Sequence, residues 1–224
     1  ANTRFFYESP SLSVGKDRMG YYRLITIGSG WRANPLSEIT NNAFFAIKDR
    51  PRLIREQPLQ VNDLPEFGSH FFADRIMLNG FQVSLSGMGE KVFGSSSIIN
   101  NKVFFSTYLP ENMNGQNNAS VCGEYRGNVK LYGIDISTGL GVFDTHGGIV
   151  DSTVSGSHVL DSFGLSSLGD INSVMMGASM NILSGSQFVG ELDVPKNLVH
   201  RLSWHESARG EQVFQLFPRG NENN

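Results

Sequence analysis

The sequence predicts an all-β protein of short antiparallel strands joined by tight turns, on three observations. Glycine fills 25 of 224 positions and phenylalanine 16, while charged residues make up only 17%. A chain rich in Gly, Phe, Ser and Asn and poor in charge suits strands and turns. Second, apolar residues recur as strand-length runs or with a period of two along most of the chain. Third, only Leu53–Leu64 carries a weak helical pattern, interrupted by charges and bracketed by Pro58 and Pro65, so it reads as a surface insertion. Helix content below about 10% is expected, against a usual third.

In chain order, Tyr22–Gly28 is a β-branched and aromatic strand stopped by Gly28-Ser29-Gly30, and Ala43–Asp49 is a second strand closed by Asp49 and Pro51. Asn79–Leu85 alternates, with Phe81, Val83 and Leu85 on one face. Ser97–Leu109 holds two strands around Asn100-Asn101, a two-residue hairpin turn. Val129–Ile136 alternates and turns at Ser137-Thr138-Gly139; Asn172–Met180, Gln187–Asp193 and Val199–His205 complete the strands. Pro110–Arg126 reads as a polar loop, and the tail from Ser207 should fray. The aromatic runs Phe5-Phe6-Tyr7, Phe44-Phe45, Phe71-Phe72 and Phe104-Phe105 place one ring on each side of a strand, so each should pack both faces of its sheet.

Ala43–Asp49 and Lys130–Gly139 form a weak repeat, each with an aromatic, a small residue, Ile and then Asp. The reading is three units, roughly 5–49, 79–144 and 155–206, with an insertion at 50–78, a polar loop at 110–128 and a flexible tail at 207–224.

Several function classes are disfavoured. The charge balance of 18 basic against 21 acidic residues, net −3, argues against a nucleic-acid module. No apolar run approaches membrane-span length, so no membrane insertion is expected. Gly28-Ser29-Gly30 is followed by Ala33 and then Asn34-Pro35, which prevents the helix a dinucleotide fingerprint opens. His70, His146, His158, His200 and His205 show no zinc spacing, and Gly169–Ser173 falls short of a calcium loop. A nucleophile elbow is absent, and Cys122 is a lone thiol with no expected catalytic role. The start at Ala1 shows no signal segment, so either one was removed or this is a piece of a longer chain.

Four segments, in order, resemble one family. Arg4–Val14 (RFFYESPSLSV), Ile25–Asp49 (ITIGSGWRANPLSEITNNAFFAIKD), Asn79–Pro110 (NGFQVSLSGMGEKVFGSSSIINNKVFFSTYLP) and Leu131–Gly139 (LYGIDISTG) are similar to motifs of the PilY family of type IV pilus assembly and tip proteins. Arg201–Ser207 (RLSWHES) resembles that family's final motif. Leu131–Gly139 also resembles the strand-turn of quinoprotein-like β-propeller blades. Departures are Trp31 for Tyr, Asn34 for His, and a longer polar loop at Asn112–Asn118, which bears on partner contacts.

The resemblance implies antiparallel blades of a modified, quinoprotein-like β-propeller, here the C-terminal part of an incomplete ring. It implies an exported, non-enzymatic protein at the periplasm, outer surface or pilus tip of a Gram-negative bacterium, acting in pilus assembly, opposition to retraction, twitching motility, surface attachment and virulence. The implied partners are pilus-tip or minor pilin subunits, a host or abiotic surface, and the remainder of the propeller. The family's calcium loop lies upstream of the matched segment, so no cofactor is expected here. The alternatives are a quinoprotein-like dehydrogenase or a propeller adhesin unrelated to pili. The motif residues are Gly28, Gly30, Trp31, Arg32, Pro35, Asp49, Tyr132, Asp135 and Gly139, all expected to be structural rather than catalytic, cofactor-binding or metal-binding. Arg32 should act as a clamp where the backbone leaves the sheet.

Overall fold

The structure, a computed structural model, describes residues 4–51, 53–55, 57–67, 76, 78–110, 127–143, 149–153, 157–160, 171–176, 179–184, 187–193, 202–206 and 212–216. The expectations for Phe71-Phe72, the Asn112–Asn118 loop, Cys122, His70, His146, His200 and the loop at Gly169-Asp170 lie outside them.

Within these residues the chain is mostly antiparallel β-sheet. The first sheet runs in sequence order through β1 (Ser11–Asp17), β2 (Gly20–Gly28), β3 (Ala43–Asp49) and β4 (Gly80–Ser84). The second follows β5 (Lys91–Ile99), β6 (Lys102–Pro110), β7 (Gly127–Asp135), β8 (Gly141–Phe143) and β9 (Ile149–Thr153), while β10 (Ser157–Leu160) also pairs with β7. A third holds β11 (Ile171–Met176), β12 (Ser179–Ser184) and β13 (Gln187–Asp193). Helix is confined, among the described residues, to the 3-10 turn Val61–Asp63 and to Ile76, Leu78 and Asn79.

Residues 193–224 form a separate unit, in which β14 (Leu202–Glu206) pairs antiparallel with β15 (Gln212–Leu216). The segment from Ser207, expected to fray, thus carries a strand: the Val213 and Phe214 that supply strand propensity find a partner in β14. Asn172–Met180, read as one strand, is divided by a hairpin between Met176 and Ser179.

The middle sheet is packed on both faces. On β6, Val103 and Phe105 enter a core shared with Leu24, Phe44 and Phe81 of the first sheet. Phe104, between them, enters the opposite core with Ile171, Ile182 and Leu192 of the third sheet. Period-two alternation produces this division, as the Phe104-Phe105 doublet predicts, whereas Phe5-Phe6-Tyr7 lies outside the strands with Phe6 and Tyr7 half exposed. The 53–67 insertion is not merely superficial. Leu64 is 4% exposed and packs on Ala43 and Phe45. The Gln82 N–H donates to Pro65 O and the Phe67 N–H to Gln82 O, at 2.9 and 2.7 Å, which closes the outer edge of β4 against further pairing.

Candidate functional site

Gly28, Ser29, Gly30, Glu90 and Val92 meet where the first sheet is fastened to the second. At the end of β2 the Ser29 N–H donates to Ala43 O at 2.9 Å, and its hydroxyl accepts from the Ala43 N–H. Ser29 O then accepts from the Val92 N–H of β5 at 3.1 Å, joining the two sheets by backbone. Neither Gly28 nor Gly30 has positive φ; both are needed for closeness. A Cβ on Gly28 would lie 2.4 Å from Val92 Cβ, and one on Gly30 would lie 2.9 Å from both Lys91 Cβ and Val92 O.

Beside this contact sits Glu90, whose side chain is fully buried. Oε1 accepts from the Thr107 hydroxyl at 2.7 Å and the Tyr132 hydroxyl at 3.0 Å. Oε2 accepts from the Gly87 N–H at 3.0 Å and from Lys130 Nζ at 3.2 Å. Four donors offset the desolvation of the carboxylate. Its backbone carbonyl also accepts from Asn42 Nδ2 at 2.8 Å, tying the residue before β3 to the start of β5. Burial first, and then the Glu90 charge and hydrogen bond, push the Tyr132 phenol well above its ordinary range, so it remains a donor. Tyr132 stacks on Phe105 at 4.8 Å between centroids, and Phe105 stacks on Phe44 at 3.8 Å, so one column of rings crosses the interface.

Lys91, next in sequence, is also buried and donates to Ser37 O and Gly89 O, each at 2.6 Å. Burial lowers its ammonium to about 8, while the Glu38 charge pulls the other way. Chemically, Glu90 and Lys91 are clamps. With every carboxylate oxygen occupied and no exposure, Glu90 has no open side from which to exchange a proton with a substrate.

The remaining motif residues fall at separate joints rather than in one site. Trp31 stacks on Phe5 at 5.3 Å. Arg32 pairs with Glu8 and lies 5.2 Å over the Phe93 ring, clamping the N-terminal segment and β5 to the loop, yet its side chain is 43% exposed. Pro35 lies inside a turn closed by the Ser37 N–H on Asn34 O at 3.1 Å. Asp49 pairs across the strands with Arg23 at 2.7 Å. Asp135 Oδ1 accepts from the N–H groups of Ser137 and Thr138, and Gly139, at φ +67°, closes that turn where L side chains are strained.

Sequence reading missed a second polar cluster at the far end of the same interface. Arg50, 5% exposed, forms a two-pronged pair with Asp17, whose Oδ1 also accepts from the Met19 N–H in the β1–β2 turn. Burial alone would raise the Asp17 carboxyl. The Arg50 fork, the Met19 N–H and the charges of Arg50 and Lys48 together hold it below the ordinary value. The Tyr22 ring lies 5.0 Å from Lys48 Nζ and 5.2 Å from the Arg50 guanidinium carbon. Burial lowers Lys48 to about 8. The available signal was Lys48 itself: two residues past Ala46 and four past Phe44, it must share their buried face.

Among the described residues, no three His, Cys, Asp or Glu side chains converge on a point that could hold a metal ion. No helix there is long and apolar enough to cross a membrane. Comparison of the chain with protein-family models, curated proteins and solved structures finds no match.

Proposed function

We propose that this chain supplies the C-terminal blades of a modified β-propeller in a type IV pilus assembly and tip protein resembling the PilY family. It works there as a non-enzymatic binding and assembly module, exported and displayed at the outer surface or pilus tip. Its partners are pilin subunits, the remainder of the propeller and a host or abiotic surface, and any calcium is held by an upstream part of the same protein.

The observation that carries this reading is the coincidence of motif and joint. Gly28 to Gly30, Glu90 to Val92 and Tyr132 lie in the ordered segments that resemble the family, and the same residues make contacts that hold the first sheet to the second. Successive antiparallel meanders packed face on face are also how propeller blades are arranged. The buried polar groups of Ser29, Asn42, Glu90 and Lys91 serve these joints, which suits a scaffold that presents surface.

The test is deletion of the gene in a bacterium that assembles type IV pili, with surface pili and attached cells counted. Both should fall, and should return with the full-length wild-type gene but not with a gene carrying Gly30→Val. Unchanged piliation and attachment after deletion would overturn the reading. So would saturable, turnover-competent dye reduction by purified protein given pyrroloquinoline quinone and calcium, which would favour a dehydrogenase.

A further inference from the structure

A cleft of about 500 Å³ opens at the β1–β2 hairpin, away from the Glu90 joint, within the size range of small-molecule sites. Its wall includes Lys16, Met19, Tyr21, Arg50, Leu53 and Leu78, and among the described residues no acidic side chain lines it. The apolar members are unusually open to water: Tyr21 is 66% exposed and Met19 55%. Apolar surface beside an exposed ammonium asks for a ligand with both characters.

The charges narrow the choice. The Arg50 fork is already engaged by Asp17, which fixes it as one positive wall. Lys16, at the exposed end of β1, has its ammonium 5.2 Å over the Tyr21 ring. No carboxylate among the described residues lies within ion-pair distance of it. One accessible ammonium suits one anionic oxygen, so a monoanion fits better than a phosphate dianion. The Met19, Tyr21, Leu53 and Leu78 wall would take an unbranched or aromatic apolar body.

We infer that this cleft is a binding site for a small amphipathic carboxylate, its anionic head on Lys16 and its apolar tail against Tyr21 and Leu53. The site does not depend on the pilus reading, because it uses none of the joint residues.

The experiment titrates the full chain with octanoate and follows backbone amide shifts, with octan-1-ol and octylammonium as the neutral and cationic counterparts. Octanoate should shift Lys16, Gly20, Tyr21 and Leu53 saturably, and octanol should bind about ten-fold more weakly, as expected for loss of one charge-assisted contact. Lys16→Glu should weaken octanoate by at least about ten-fold, with octylammonium gaining instead. Leu53→Asp, at an exposed position, should weaken octanoate without lowering the melting temperature. Octanol binding as tightly as octanoate, shifts centred elsewhere, or no saturable shift would each overturn the assignment.

Discussion

Two buried lysines on neighbouring sheets make stability depend on pH in the alkaline range. Lys48 titrates near 8 in the folded chain against 10.5 when free. Below pH 8 both states carry the proton and the burial penalty is fully present. Between pH 8 and 10.5 the unfolded chain binds more protons, so stability rises with pH through this group, and Lys91 acts in the same direction. Lys48→Met should therefore raise stability at pH 7 by about 1–3 kcal/mol and flatten the rise between pH 8 and about 9.5 in denaturant titrations. A variant less stable than wild type at pH 7 would mean the Tyr22 contact outweighs the burial. Asp17 has the opposite sign. Its lowered carboxyl stabilises above the ordinary value of 3.8, and this contribution is lost as pH falls through the folded value. Asp17→Asn should destabilise at pH 7 by about 3–5 kcal/mol, leaving Arg50 buried without this carboxylate, and reduce the loss of stability on acidification, as denaturant titrations at several pH values would read. Gly28→Val and Gly30→Val must push Val92 or its carbonyl aside, and each should cost at least about 1–3 kcal/mol in thermal melts.

At the scale of elements, strands form where local pattern and turn chemistry agree. Asn100 and Asn101, at φ 46° and 60°, give the left-handed pair that a two-residue hairpin needs, and β5 and β6 pair on either side of them. Asn100-Asn101→Ala-Ala should lower stability by about 1–2 kcal/mol, whereas Asn-Gly in their place should not, as chemical unfolding would read. This hairpin and strands β2, β3, β4 and β13 were legible because their signals are local. Three-residue β8 carries no period, and in β15 Val213 and Phe214 sit between the polar segments 205–212 and 219–224, so neither was. The partners of Arg50, Lys48 and Glu90 were also hidden, since Asp17, Tyr22 and Tyr132 lie far away in sequence. Arg32 was read as a clamp where the backbone leaves the sheet, and its exposure was not legible. Half in water, its pair with Glu8 and its contact with Phe93 should together be worth about 1 kcal/mol, so Arg32→Ala should shift the melt only slightly. A loss above about 3 kcal/mol would place Arg32 among the buried pairs instead.

For the unit spanning residues 1–192, cooperativity rests on the middle sheet, which shares one core with the first sheet and another with the third. Neither outer sheet can lose its packing without uncovering a face of β6. The unit should therefore melt in one transition, with calorimetric and van't Hoff enthalpies equal. Phe105 and Phe104 divide the two couplings between adjacent residues. Phe105 is the middle ring of the Phe44–Phe105–Tyr132 column, and Phe104 meets Phe143 edge-on at 6.1 Å. Both are fully buried, so truncation of either to alanine should cost about 3–5 kcal/mol. Their totals should be similar, but their local consequences should differ. Phe105→Ala should speed amide hydrogen exchange first in β2 and β3, since the ring column reaches the first sheet through Phe44. Phe104→Ala should do so first in β11 and β12, where Ile171 and Ile182 lose their cover. Exchange that accelerates equally in both outer sheets for both variants would show that the sheets are coupled through backbone joints such as Ser29–Val92, and not through these ring contacts.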